Sequence, residues 1–354
     1  MKRRALLGSV VALAGCQGAA HVPSLLSSRE DRAPLRRIAF GSCNDQNKPQ
    51  HIWQAVLASR PDLFLFAGDN VYASEQPWSA ARMARAYETQ ALSPAFARLR
   101  QTVPHMATWD DHDFGLNDGG ASFAHKQAAK DEFLKFWGLA DSDPVRQREG
   151  VYSARVFGPK GQRVQVIMLD TRWFRSDLKL TDQRGAVGKE RFVPDPDPNK
   201  TLLGSTQWAW LEARLREDAQ VRLIVSSIQV LAEGHGWERW GNFPLERARL
   251  FDLLTRTRAH GVVFLSGDRH IGALYRETRG LPYPLFDLTS SGLTHPWKNA
   301  TEAGPNRLGG LVGDMHFGTV DIDWPTGQLT LALRGVGDEV WLEHKLGINT
   351  LQPV

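Results

Sequence analysis

Short apolar runs alternate with polar segments along most of the chain, and their spacing predicts strands that alternate with helices. Runs rich in β-branched and aromatic residues predict strands at 36–40, 62–67, 103–108, 151–157, 163–169, 221–226, 262–266, 285–289, 317–323, 328–333 and 339–345. Apolar positions at helical spacing predict helices at 49–59, 78–99, 123–137, 206–217 and 244–259.

This order of elements predicts the fold class. Early strand–helix–strand units followed by a run of strands indicate an α/β fold, a four-layer αββα sandwich of two mixed sheets with helices outside. Two polar stretches, 174–203 and 292–315, predict long loops of the kind that cover a site or move. Because no linker divides the chain, we expect residues 36–354 to form one domain.

Four clusters of polar residues each follow a predicted strand. They are GSCN at 41–44, GDNVY at 68–72, WDDHD at 109–113 and GDRH at 267–270. Catalytic groups gather at the carboxyl ends of strands in layered α/β sheets, so four separate loops can meet there. Together the clusters supply a thiol, a phenol, carboxylates and imidazoles, which are enough ligands for two metal ions. The pattern suggests hydrolysis of a phosphate ester at a two-metal centre.

The N-terminus has the pattern of an export signal. A basic MKRR segment precedes a short apolar run, which ends in LAGC at 13–16 and resembles a bacterial lipoprotein box. We therefore expect residues 1–16 to be a lipoprotein signal peptide, Cys16 to be lipidated, and residues 17–35 to be a flexible tether. The protein would be exported and anchored to a membrane on the periplasmic or cell-envelope face. Arg3 and Arg4 leave Sec and twin-arginine export both open.

Charge and cysteine content narrow the picture further. The net charge is +4, and the first 15 residues contain three basic and no acidic side chains, so the rest of the chain is nearly neutral. No nucleic-acid-binding surface is predicted from such a balance. The chain has two cysteines, and once Cys16 is assigned to lipid, Cys43 has no disulfide partner. Metal ligation is a good explanation for a lone thiol in an exported protein.

Seven motifs together resemble one known family. They are GSC at 41–43, GDNVY at 68–72, WDDHDFGLND at 109–118, LDTR at 169–172, QWAWL at 207–211, GDRHIG at 267–272 and TSSGLTH at 289–295. In this order they resemble the PhoD-type alkaline phosphatases and phosphodiesterases of the metallophosphoesterase superfamily. The resemblance implies a phosphoric ester hydrolase that uses a metal-bound hydroxide, with iron as one of its ions.

The residues themselves favour ferric iron at the first position. A free phenol has a pKa near 10 and needs a strongly Lewis-acidic ion to ionise it at neutral pH. Thiolate, carboxylate, phenolate and imidazole groups form a set suited to Fe³⁺. The expected ligands of this ion are Cys43, Asp69, Tyr72 and His270.

The second ion is expected to be bound by oxygen. Asp69 can bridge both ions, and Asp111 and Asp268 are the next candidate ligands, with a polar group from Ser227 or Gln229. Hard oxygen ligands favour Ca²⁺, or alternatively Mg²⁺ or Mn²⁺, over Zn²⁺.

His112, Asp111 and Arg172 are the predicted catalytic residues. Of these, His112 is expected to be the general acid. It directly follows Asp111, and an imidazole can protonate a departing alkoxide near neutral pH. Asp110 or Asp113 would hold its other ring nitrogen.

Further residues are assigned to the substrate, and two other functions stay open. Arg172 either clamps the phosphate or is a buried partner of Asp170, whereas Asn117 and His295 are expected at the rim as substrate-binding residues. One alternative function is a phospholipase D-like lipid phosphodiesterase. The other is a non-catalytic metal- or phosphate-binding lipoprotein, which the presence of the acidic and histidine residues disfavours.

Overall fold

The apolar alternation of the first strands divides their side chains between two hydrophobic clusters. In the computed structural model, which describes residues 33–353, Leu63 and Leu65 pack in a core that joins both sheets. Phe64 and Phe66 point to the opposite face and pack against helices. Each strand therefore has one sheet-facing and one helix-facing side, as the period of two dictates.

Thirteen strands are present among the described residues. They are β1 (Arg37–Gly41), β2 (Leu63–Ala67), β3 (His105–Thr108), β4 (Ser153–Phe157), β5 (Val164–Met168), β6 (Val221–Ser226), β7 (Val262–Ser266), β8 (Gly272–Glu277), β9 (Leu285–Ser290), β10 (Arg307–Val312), β11 (Phe317–Asp323), β12 (Gln328–Arg334) and β13 (Val340–Gly347). One sheet has the order β13-β12-β11-β1-β2-β3, and the other has the order β10-β8-β9-β7-β6-β5-β4. Both contain parallel and antiparallel pairs, for example β1 with β2 and β1 with β11.

The helices cover the outer faces of these sheets. They are α1 (Ile52–Ala58), α2 (Ala80–Ala91), α3 (Pro94–Thr102), α4 (Asp111–Phe114), α5 (Lys126–Phe136), α6 (Gly204–Leu215) and α7 (Pro244–Thr257). α1, α2, α3 and α5 share a hydrophobic cluster with β2, while α6 and α7 contribute Trp208 and Leu250 to the core around the second sheet. The predicted α/β sandwich of two mixed sheets is confirmed.

Four details of the prediction were wrong. The helix expected at 78–99 is two helices, because Pro94 lacks a backbone N–H and begins α3 at its first turn. β8 was missed, and β10 lies inside the loop expected at 292–315, where two glycines and exposed side chains hide the apolar signal. Leu35, placed in the predicted tether, is buried in the core.

The predicted signal peptide and Cys16 lie outside the described residues. Within the described part of the chain, no helix has the length and hydropathy needed to cross a bilayer.

Candidate metal centre

Tight turns after the parallel strands place the candidate ligands. Cys43, Asp69, Asp268 and His270 follow β1, β2 and β7, and all four have a positive φ, between 51° and 67°. Side chains other than glycine seldom adopt this left-handed conformation, which costs of order 1–3 kcal/mol and is concentrated at functional sites. The surrounding structure holds these four residues in that strained conformation.

The four residues predicted for the first ion lie together. The ligand atoms of Cys43, Asp69 and His270 are within 4.8 Å of one another. The Tyr72 Oη atom lies 3.2 Å from Asp69 Oδ2 and 3.3 Å from His270 Nε2. Cys43 Sγ lies 3.4 Å from the same Asp69 oxygen. A thiol, a carboxyl, a phenol and an imidazole thus converge on one point.

A second group of carboxylates adjoins the first. Ligand atoms of Asp110, Asp111 and Asp268 lie within 4.8 Å of one another, and so do those of Asp69, Asp111 and His112. Asp69 therefore belongs to both neighbourhoods, as a bridging ligand would. Asp111 Oδ1 and Asp110 Oδ2 are buried without a hydrogen-bond partner. Buried carboxylate oxygens without partners are costly, and a cation would satisfy them.

The electrostatics of this cluster also fit cations. Burial, followed by repulsion from Asp111 and Asp110, raises the pKa of Asp69 and of Asp268 well above the usual range. Burial also raises the pKa of the Cys43 thiol and the Tyr72 phenol, and the nearby Asp69 carboxylate raises both further. Positive charge at the centre would ionise all these groups together. The donor set therefore fits two cations.

Asp111 behaves differently from its neighbours. Although burial opposes ionisation, attraction to His112 and Arg172 and a hydrogen bond from the Asp118 N–H lower its pKa to about 2. Asp118 N lies 2.7 Å from Asp111 Oδ2. Asp111 is therefore ionised and available to a cation at all ordinary pH values.

The imidazole of His112 is held by Ser74 and Tyr72, neither of which was predicted to hold it. Its Nδ1 lies 2.7 Å from Ser74 Oγ, and its ring stacks on Tyr72 with centroids 4.0 Å apart. The prediction that Asp110 or Asp113 holds this nitrogen was wrong. Asp113 instead accepts backbone N–H groups of Asp69 and Asp110, at 3.1 and 2.7 Å, and so fixes two site loops.

Arg172 has a buried role. Its side chain is fully buried, with Nε 2.6 Å from Asp110 Oδ1 and Nη1 2.7 Å from Glu238 Oε2. The phosphate-clamp alternative does not fit this arrangement, because the guanidinium is fully buried, is engaged by two carboxylates and does not line the cavity. Asp170 is not its ion-pair partner either, since Asp170 accepts the Arg172 backbone N–H. Glu238, which also pairs with Arg175, was missed because it lies in a loop without a recognisable motif.

Ser227 and Gln229, the two candidates after β6 for an additional ligand of the second ion, lie in different surroundings. Ser227 Oγ donates to Asp110 Oδ1 at 2.6 Å and therefore lies beside the second carboxylate group. Gln229 belongs to another buried network, in which it contacts Tyr275, Thr289 and His235. Ser227 is thus the nearer of the two to the centre.

A cavity of about 340 Å³ opens above the carboxylates. Asn117 and His295, which were predicted to bind the substrate, line its wall. Burial, followed by repulsion from Lys48, lowers the pKa of His295 to about 4, so its imidazole is neutral at physiological pH. Arg191, Trp237 and Trp297 form part of the same wall.

Two mixed sheets with this donor set at their strand ends define a protein of the metallophosphoesterase-like class. A solved structure of PhoD superposes with a TM-score of 0.66 at 15% identity, covering 91% of this chain and 72% of that one. A purple acid phosphatase from yellow lupin seeds superposes with a TM-score of 0.59 at 12% identity, covering 89% and 54% of the respective chains. These likenesses concern the fold.

The sequence profile of the PhoD-like phosphatases matches residues 38–286, and the chain belongs to this family. The family predicted from the seven motifs is thereby confirmed. Alkaline phosphatase D of Bacillus subtilis (strain 168) is 24% identical over 189 residues, which are 47% of this chain. The aligned region spans 31% of that relative's length.

Proposed function

We propose that this protein hydrolyses phosphate esters at a centre that holds two metal ions. The observation that carries the proposal is the position of Asp69, which belongs both to the group with Cys43 and His270 and to the group with Asp111. Two adjoining groups that share a carboxylate suit two adjacent cations. Membership of the PhoD-like phosphatases supports the same chemistry.

We assign the thiol, phenol and imidazole group to Fe³⁺ and the carboxylate group to Ca²⁺, with Mg²⁺ or Mn²⁺ as alternatives. The first group supplies the sulfur of Cys43 and the nitrogen of His270. The second group consists of carboxylate oxygens, with His112 as its one nitrogen donor, and hard cations prefer oxygen ligands. When bound, the two cations supply Lewis-acid charge to the phosphoryl group and lower the pKa of a water molecule. Asp110 joins Asp111 and Asp268 as a candidate ligand of the second ion.

His112 is the group that we propose donates a proton to the departing ester oxygen. Ser74 occupies Nδ1 and Tyr72 stacks on the ring, so the imidazole has a fixed orientation. Its Nε2 atom lies 3.9 Å from Asp111 Oδ1. The His112 side chain also lines the cavity above the carboxylates. Proton transfer from Nε2 to the ester oxygen would leave the imidazole neutral and the leaving group an alcohol.

The test is a comparison of leaving groups in His112→Ala. Turnover of an alkyl phosphate should fall by ~10²–10⁴-fold, because an alkoxide needs a proton to leave. Turnover of p-nitrophenyl phosphate should fall much less, because nitrophenolate leaves unprotonated. Metal content and the visible charge-transfer band expected of a phenolate–iron centre should stay unchanged. His51→Ala, which removes an exposed histidine at the start of α1, is the matched control.

Two results would contradict the assignment. Loss of metal from His112→Ala would make His112 a ligand, as its place beside Asp69 and Asp111 allows. An equal loss of rate for both leaving groups would make it a scaffold residue. If the metal-loaded protein turns over no phosphate ester at all, a non-catalytic binding function is favoured instead.

We also propose that the protein is exported and anchored through lipid at Cys16. The proposal rests on the LAGC sequence at 13–16 after a short apolar run. These residues lie outside the part of the chain that the structure describes.

A further inference from the structure

Two tryptophans form a corner in the wall of the cavity. The rings of Trp237 and Trp297 lie at 86° to each other with centroids 6.0 Å apart, and both line the cavity above the carboxylates. Trp297 is 40% exposed, which is high for so large an apolar ring. Edge-to-face and offset-stacked arrangements are the favoured geometries for aromatic pairs, so a perpendicular corner suits a third flat ring.

The backbone of both tryptophans is tied to residues of the candidate centre or its supports. The backbone N–H of Trp297 donates to the carbonyl oxygen of His270 at 2.6 Å. The backbone N–H of Trp237 donates to His235 Nδ1 at 3.2 Å. The next residue is Glu238, which pairs with the buried Arg172 and Arg175. A fixed backbone at both residues limits the positions that their rings can take, which reduces the conformational entropy lost when a ligand binds.

One face of Trp237 is already covered. The guanidinium of Arg269 lies 4.8 Å from the ring centroid, and the same group pairs with Glu302 at 2.7 Å. Among the ring contacts of the described residues, Trp297 has only its contact with Trp237. The exposed part of Trp297 is therefore the surface that a ligand can cover.

The charges of the wall disfavour an anionic occupant. Arg269 is paired with Glu302, and Arg191 is paired with Asp118 at 2.5 Å. Both arginines of the cavity wall are thus already paired with carboxylates, which weakens their attraction for a second phosphate or a carboxylate. The floor is acidic, so the part of a substrate beyond its phosphate gains most from uncharged contacts with the two rings.

We propose that this corner is a subsite for a flat aromatic group carried by the phosphate, so that the substrates are aryl or nucleoside phosphate esters. The inference rests on the proposed hydrolysis at the adjoining centre. Stacking of a base on an aromatic side chain is favourable for every base, because each base has a π-face. The subsite would therefore recognise an aromatic ring without selecting one particular base.

Phosphonates test the subsite without turnover, because their C–P bond does not hydrolyse at such a centre. Binding of methylphosphonate, phenylphosphonate and the methylenephosphonate analogue of a nucleoside 5′-monophosphate to the metal-loaded protein is measured by calorimetry. We expect at least one of the two aromatic ligands to bind with an affinity at least about ten times that of methylphosphonate. The stronger of the two identifies an aryl or a nucleoside source.

Three variants assign the effect to the corner. Trp297→Ala should remove the aromatic preference, Trp297→Phe should restore most of it, and Trp341→Ala should leave it unchanged. Trp341 is the matched control, since it is 38% exposed on β13 and does not line the cavity.

The outcomes distinguish the subsite from the proposed activity. Equal binding of methylphosphonate and both aromatic ligands, or an equal effect of Trp297→Ala and Trp341→Ala, overturns the subsite even if phosphate esters are hydrolysed. An aromatic preference that Trp297→Ala abolishes supports the subsite even if no ester is turned over.

Discussion

Removal of the metal ions should make the stability of the folded protein fall between pH 7 and pH 8. Burial raises the pKa of Asp69, Asp110 and Asp268, and neighbouring carboxylates raise each further; the pKa of Asp110 reaches about 8. A carboxyl with a higher pKa in the folded chain than in the unfolded chain stabilises the fold while it is protonated. Its contribution is complete below about pH 4 and is lost as the pH rises through the folded pKa.

The size of the effect follows from that pKa. Between the unfolded and folded pKa values, each such carboxyl removes about 1.4 kcal/mol of stability per pH unit. Asp110 alone therefore costs roughly 1 kcal/mol between pH 7 and pH 8. The raised pKa values of Asp69 and Asp268 act in the same direction. Bound cations should reverse the trend, because they require ionised ligands.

The range from pH 7 to pH 8 is chosen because, at lower pH, buried histidines change the free energy of unfolding in the opposite direction. Burial lowers the pKa of His270 to about 3 and of His316 to about 4. Groups of this kind add stability as the pH rises toward the unfolded histidine pKa of about 6.5 and little above it. Above pH 7 an unfolded histidine keeps only a small charged fraction, so the histidines oppose the fall weakly and the carboxyls determine its direction.

The assay is urea unfolding at pH 7 and pH 8 after exhaustive chelation, with the metal-loaded protein in parallel. Asp110→Asn is the informative variant, because it keeps the neutral form of the side chain and should show a smaller fall. A chelated protein that is equally stable, or more stable, at pH 8 would refute this account of the carboxylate cluster.

Two further predictions concern the groups that support the centre. Arg172→Met should lower the free energy of unfolding by about 3–5 kcal/mol, since it leaves two buried carboxylates without their partner; Arg216→Met, which breaks an exposed pair with Glu212, should cost less than about 1 kcal/mol. Similar losses in urea unfolding of the two variants would contradict the buried role. Ser74→Ala should lower turnover of alkyl phosphates by about ten- to a hundredfold at unchanged metal content, because it frees the His112 ring. Loss of metal, or an unchanged rate, would show that Ser74 does not orient the acid.

The fold was largely predictable because its central strands carry their own signal. β1, β2, β5, β6 and β7 are buried on both faces and appear in the sequence as short apolar runs. β10 has no such signal, because its pairing with β8 leaves most of its side chains partly or fully exposed. Its place in the sheet depends on a neighbour far away in sequence.

The candidate ligands were predictable for a similar local reason, whereas their supports were not. Cys43, Asp69 and His270 each lie within a few residues of a strand end. Glu238 contacts Arg172 across 66 positions and Ser74 contacts His112 across 38. No local pattern marks such partners, because only the folded chain brings the loops together.

The glycines that precede the ligands explain why the local motifs carry so much information. A Cβ atom on Gly68, whose φ is +102°, would lie 2.6 Å from the Cβ of Asp110. A Cβ atom on Gly267 would lie 2.4 Å from Ser42 Oγ. The loops therefore approach so closely only because these two positions lack a side chain. In each glycine–aspartate pair, at 68–69 and at 267–268, the aspartate is the candidate ligand. The glycine is the residue that allows a neighbouring loop to approach closely enough for the strand ends to meet at one centre.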